Sequence, residues 1–145
     1  MPPPREISVP HGLSSQAVEV AVVAGILNVP VKKSYDPTQT LSQRDFDTML
    51  AHEYISSERG RSWFPAERDG NVRYAYVDTR DHYLRVAIHM DPGVLRIEIV
   101  ESKNLLQEDG RIHKKVPEWI DNLATHIQRE LFRLAAYGTA GRPPG

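Results

Sequence analysis

Apolar residues recur along this chain at helical spacing, then at every second position, then at helical spacing again. Residues 16–28 (QAVEVAVVAGILN) are apolar on nearly every side, with Glu19 the only charge. Periodicity alone does not separate a buried helix from a strand here, but the length favours a helix. Ser14 or Ser15 is placed to cap it, and its valines lower helix propensity without forbidding the helix when buried. Residues 29–39 (VPVKKSYDPTQ) read as a loop broken by Pro30 and Asp36-Pro37. Ser42 followed by Asp45 marks a second helix start, with a carboxylate near the positive N-terminal end. Phe46, Met49, Leu50 and Tyr54 then fall on one helical face, and SSERGR (56–61) ends it.

From Trp63 the period is two. Residues 63–68 lead through Asp69-Gly70, a hairpin signal, into 71–78. In 83–90, Leu84, Val86, Ile88 and Met90 alternate with Arg85, Ala87 and His89. Asp91-Pro92-Gly93 is turn chemistry, and 94–100 then sets Leu95, Ile97 and Ile99 opposite Arg96 and Glu98. One sheet face is therefore dry and the other wet. Helical spacing returns at Pro117, suited to a first turn, and Trp119, Ile120, Leu123, Ile127, Leu131 and Leu134 form one stripe. Glu118, Asp121, Gln128, Arg129 and Arg133 are left to face water, and Gly138 is a fitting stop. The expected fold is α+β: an antiparallel four-stranded meander with helices packed on one face. Residues 6–10 alternate weakly and are a candidate fifth, N-terminal edge strand. Residues 1–145 read as a single domain, with Pro- and Gly-rich flexible ends at 1–4 and 138–145.

Composition narrows the function classes. The 18 Lys and Arg balance 19 Asp and Glu, giving a formal charge of −1 and no basic footprint for nucleic acid. The absence of cysteine removes disulfides, thiolate metal sites and cysteine nucleophiles. No apolar run approaches the ~20 residues of a membrane span, so no transmembrane segment is expected. Of the six histidines (His11, His52, His82, His89, His113, His126), none stands in metal-ligand spacing within one element. No metal and no cofactor is expected.

The link between the last strand and last helix, SKNLLQEDGRIHKKVPEWIDNL (102–123), carries the sharpest candidate chemistry. His113 near Asp109 can be a general base, and Ser102 is the nearby nucleophile candidate, but no nucleophile-elbow pattern surrounds it. The preferred reading is structural. Gly110 permits the turn, Asn104 and His113 satisfy backbone groups, and Trp119 supplies apolar area. A second candidate is the wet sheet face. Tyr74 and Tyr76 share one strand face, and if they join Arg85, His89 and Arg96 the result is an aromatic-and-arginine binding surface. An ordinary solvated face with cross-strand ion pairs is the plainer alternative.

Ser102, Asn104, Leu105, Gly110, Ile112, His113, Trp119, Asn122 and Leu123, with Trp63 upstream, resemble the pattern of small bacterial envelope lipoproteins of unassigned function. A looser match covers 16–28, whereas 29–61 reads as an insertion relative to that pattern, and the family's lipid-attachment cysteine has no counterpart here. The resemblance makes Asn104, Gly110, His113, Trp119 and Asn122 a structural motif and supplies no catalytic residue. It implies the periplasm or outer envelope where an export signal has been removed ahead of this sequence, and the cytoplasm otherwise. The expectation is a non-enzymatic binding or assembly module of the cell envelope, with a protein, peptide or envelope glycan as partner. The alternative is a small hydrolase-like enzyme using His113 with Ser102 or Asp109.

Overall fold

A computed structural model describes residues 3–52, 62–103 and 115–140. Their order is β1 (Arg5–Ser8), α1 (Ser15–Leu27), α2 (Gln43–Leu50), β2 (Phe64–Asp69), β3 (Val72–Asp78), β4 (Tyr83–Asp91), β5 (Val94–Lys103) and α3 (Lys115–Ala140). The fold is α+β, as the change of period implies.

The apolar run with one charge is a helix. Ser14 caps α1 by accepting from the Ala17 N–H at 3.1 Å. Its C-terminus closes with Asn28 in the left-handed region (φ 55°), the Asn28 N–H on Gly25 O and the Val29 N–H on Ala24 O. That pair of bonds is a Schellman closure built on asparagine, the other residue that tolerates positive φ. Ser42 likewise caps α2, accepting from the Asp45 N–H at 3.2 Å.

The five strands form one antiparallel sheet in the order β1-β5-β4-β3-β2. Consecutive strands β2 to β5 make the meander, and β1 adds the fifth, edge strand by pairing Arg5 with Ile97 through Ser8 with Val94. A bulge interrupts β4–β5: Arg85 faces Glu101 while Val86 faces Ile99, which leaves Val100 unmatched and 48% exposed.

The core lies between one sheet face and the helices. Ile7, Ala75, Val77, Leu84, Val86, Ile88, Leu95 and Ile97 come from the sheet, and almost all of α1 joins them. From α3 come Ile120, Leu123, Ile127, Leu131 and Leu134. Burial on every side explains why α1 lacks a polar face. Val31, Phe46 and Leu50, from the stretch read as an insertion, are also buried in this core.

The last helix spans Lys115–Ala140, which keeps Pro117 in its first turn as expected but carries it past Gly138, the expected stop and start of a flexible end. A helical glycine costs only about 1 kcal/mol relative to alanine. The Tyr137 hydroxyl, donating to Val31 O at 3.3 Å, ties this last turn to the loop after α1. Glu130, beside the expected stripe, is fully buried, accepting from the Val31 N–H at 2.9 Å and paired with Arg129 and Arg133. Burying a carboxylate requires such partners, and here they come from a backbone N–H and two guanidinium groups.

Candidate functional site

Strand register decides which side chains share the sheet's outer face. Tyr76 stands opposite Arg85, Tyr74 opposite Ala87, and His89 opposite Arg96. Tyr74, Tyr76, Arg85, His89 and Arg96 therefore lie together on the face away from the core, as the alternation allows. Register adds two aromatics that sequence reasoning left out: Phe64 opposite Tyr76 and Tyr83 opposite Asp78. Tyr83 has the same parity as Arg85 on β4, and that was the available signal.

The aromatics form a stripe across the start of β2, the end of β3 and the start of β4. Phe64 stacks on Tyr76 with centroids 5.4 Å apart, and Tyr76 on Tyr83 at 6.3 Å. Lys103 Nζ lies 5.7 Å from the Tyr83 ring centre, extending the stripe onto β5. Beside it, the Arg85 guanidinium lies 4.6 Å from the Tyr74 ring centre and pairs with Glu67. Clasped between ring and carboxylate, Arg85 presents its remaining donors in a fixed orientation. The Glu67 carboxyl is held below its usual range by its own backbone N–H and by Arg85.

Toward the other end of the strands the face is ionic. Arg96 meets Asp91 at 3.1 Å, and Asp91 also accepts from the Asn71 side chain at 2.8 Å. His89 Nε2 is buried, 3.9 Å from Glu98 and so beyond hydrogen-bond reach, and has no hydrogen-bond partner among the described residues. Flat aromatic faces beside oriented donors suit noncovalent recognition of extended polar–apolar ligands.

The other sequence candidates do not join this face. Ser102 is half-buried opposite Leu84, on the core side of β5. Asn104, Asp109, Gly110 and His113 lie outside the described residues. Trp119 packs half-buried against the core, edge-on to His82 with ring centres 6.2 Å apart, and Asn122 is exposed on α3. Among the described residues no three His, Asp or Glu side chains converge as a metal site, and no helix is long and apolar enough to cross a membrane.

One charged cluster was not foreseen. Glu19, the lone charge of α1, is 5% exposed and meets Arg68 of β2 at 2.9 Å and Arg73 of β3 at still closer range. Arg68 reaches Asp47 of α2 as well, at 3.6 Å. The hydrogen bond to Glu19 holds the Arg68 guanidinium still more firmly protonated than usual. Arg73 points to the core side, opposite to Tyr74 and Tyr76, which is why it is absent from the outer face.

Compared with protein-family models, with proteins of established function and with solved structures, the chain matches none. The likeness to envelope lipoproteins therefore rests on the residues quoted for it.

Proposed function

We propose that the protein is a non-enzymatic binding or assembly module of the bacterial cell envelope that holds a peptide or glycan segment of its partner on the outer sheet face. The observation that carries the binding part is the continuous stack of Phe64, Tyr76 and Tyr83 beside the clasped Arg85. Tyrosine and arginine are enriched at binding hot spots, tyrosine because it offers large area at low entropy cost and arginine because its planar fork presents several donors. The envelope part rests on the lipoprotein-like pattern around Ser102–Leu123.

Photo-crosslinking in the native cell tests both parts together with fractionation. A benzophenone amino acid at Tyr74 should give a discrete adduct, and one at Phe132, 58% exposed on α3, should not. Adducts from both positions, or from neither, would remove the sheet-face reading. Recovery of the protein solely from the cytosol would remove the envelope reading while leaving the binding face standing.

A further inference from the structure

Register sorts the charges of the sheet's outer face into rows across the strands. Asp78 stands opposite Tyr83 at one end, and Glu98 opposite Ala87 in the middle. At the other end Val72, His89 and Arg96 share a row that Asp69 closes on β2 and Glu6 on β1. The guanidinium and ammonium groups of this face are committed to carboxylates beside them: Arg85 to Glu67, Arg96 to Asp91 at 3.1 Å, and Lys103 to Glu101 at 3.7 Å. Glu6, Asp69, Asp78 and Glu98 are exposed and have no Lys or Arg partner among the described residues. The unmatched charge of the face is therefore negative.

That excess is local, because the chain as a whole carries a formal charge of only −1. The aromatic rings among these carboxylates also accept cations. The chain's own Lys103 lies 5.7 Å from the Tyr83 ring centre, and Arg85 lies 4.6 Å from that of Tyr74. An acidic ligand would meet uncompensated carboxylates, and a neutral glycan would leave their charge unanswered. From the row of Tyr83 to the row of His89 is about 20 Å of strand at about 3.4 Å per residue, the reach of a short extended peptide.

We propose that the segment held on this face is a basic stretch of a partner protein, its lysine or arginine side chains set at Asp78, Glu98 and Asp69 and its apolar ones on Phe64, Tyr76 and Tyr83. This rests on the sheet-face reading above and narrows the partner from a peptide or glycan to a cationic peptide.

Titration of the full chain with a short peptide alternating lysine and valine, followed by two-dimensional NMR, tests the proposal. The glutamate–valine counterpart and an N-acetylglucosamine tetramer are the comparisons. Saturable shifts centred on Tyr74, Tyr76, Tyr83 and Glu98 are expected with the lysine peptide, and binding about tenfold weaker with the glutamate peptide. Asp78→Asn and Glu98→Gln should each weaken the lysine peptide by roughly two- to fivefold, the scale of one exposed ion pair. Glu118→Gln, at an exposed carboxylate on α3, should leave it unchanged. Equal or tighter binding of the glutamate peptide or the tetramer at the same residues would overturn the cationic assignment and leave the sheet-face reading standing. Equal losses in all three variants would do the same. Shifts centred elsewhere, or no saturable binding at millimolar lysine peptide, would also overturn it, and the Tyr74 adduct then decides the face by itself.

Discussion

A Cβ placed on Gly25 of α1 would stand 2.6 Å from the Cα of Ile127 in α3, so the two helices meet backbone to backbone at this point. Gly25 is helical, and what it provides is proximity. Alanine in an unconstrained helix interior is favoured over glycine by about 1 kcal/mol. Here the added methyl must push α3 away from a close-packed core. Gly25→Ala is expected to destabilise the protein by roughly 1–3 kcal/mol, the usual cost of overpacking. Urea denaturation measures it, and a more stable variant would contradict the contact.

Glu19 joins α1 to two strands through Arg68 and Arg73, and the Arg73 side chain is only 14% exposed. Removing the carboxylate leaves that guanidinium buried without its counter-charge. Glu19→Leu should therefore cost roughly 3–5 kcal/mol. Combining it with Arg73→Met removes both buried charges and should recover most of the loss. A double-mutant cycle by chemical denaturation reads the coupling, and strictly additive losses would show that the pair is not coupled.

Elements governed by local spacing were legible in the sequence. Alternation of Leu84, Val86 and Ile88 with Arg85, Ala87 and His89 marks β4, and Asp69-Gly70 marks the β2–β3 hairpin, whose two turn residues are Gly70 and Asn71. Parity grouped residues within each strand, and register then joined Tyr74 and Tyr76 to the face of Arg85, His89 and Arg96. What joins distant elements was not legible. The partners of Glu19 arrive from strands about fifty residues away, and Arg73 is indistinguishable by type from the outward-facing Arg85. Glu130 sits between polar Arg129 and apolar Leu131, and the approach of the Val31 backbone, together with Arg129 and Arg133, makes its burial tolerable. The Gly25–Ile127 contact depends on how two helices cross, and Phe64 joined the stripe only once register set it opposite Tyr76.

His126, half-buried on α3, has its pKa lowered below the usual 6.5, first by burial and then by Arg129. The unfolded chain then binds the proton more readily than the folded one. Stability from this residue is complete above about pH 6.5 and declines as the pH falls below it. His126→Gln should flatten the acid side of the stability profile near that pH. Chemical denaturation of both proteins across that range checks it, and parallel profiles would count against the shift.

Tyr35 offers the opposite slope. Its hydroxyl is buried with no hydrogen-bond partner among the described residues, and burial pushes its pKa from 10.0 up to about 12, with Asp36 adding to the shift. The folded state thus prefers the protonated phenol. Its contribution is fully present below about pH 10 and is lost as the pH rises toward about 12. Deleting an unsatisfied hydroxyl removes a desolvation penalty along with the titration. Tyr35→Phe should be neutral or stabilising by up to about 1 kcal/mol at neutral pH. It should also abolish the latest step in tyrosinate absorbance while the fold persists. A variant clearly less stable than the wild type would mean that the hydroxyl is bonded after all.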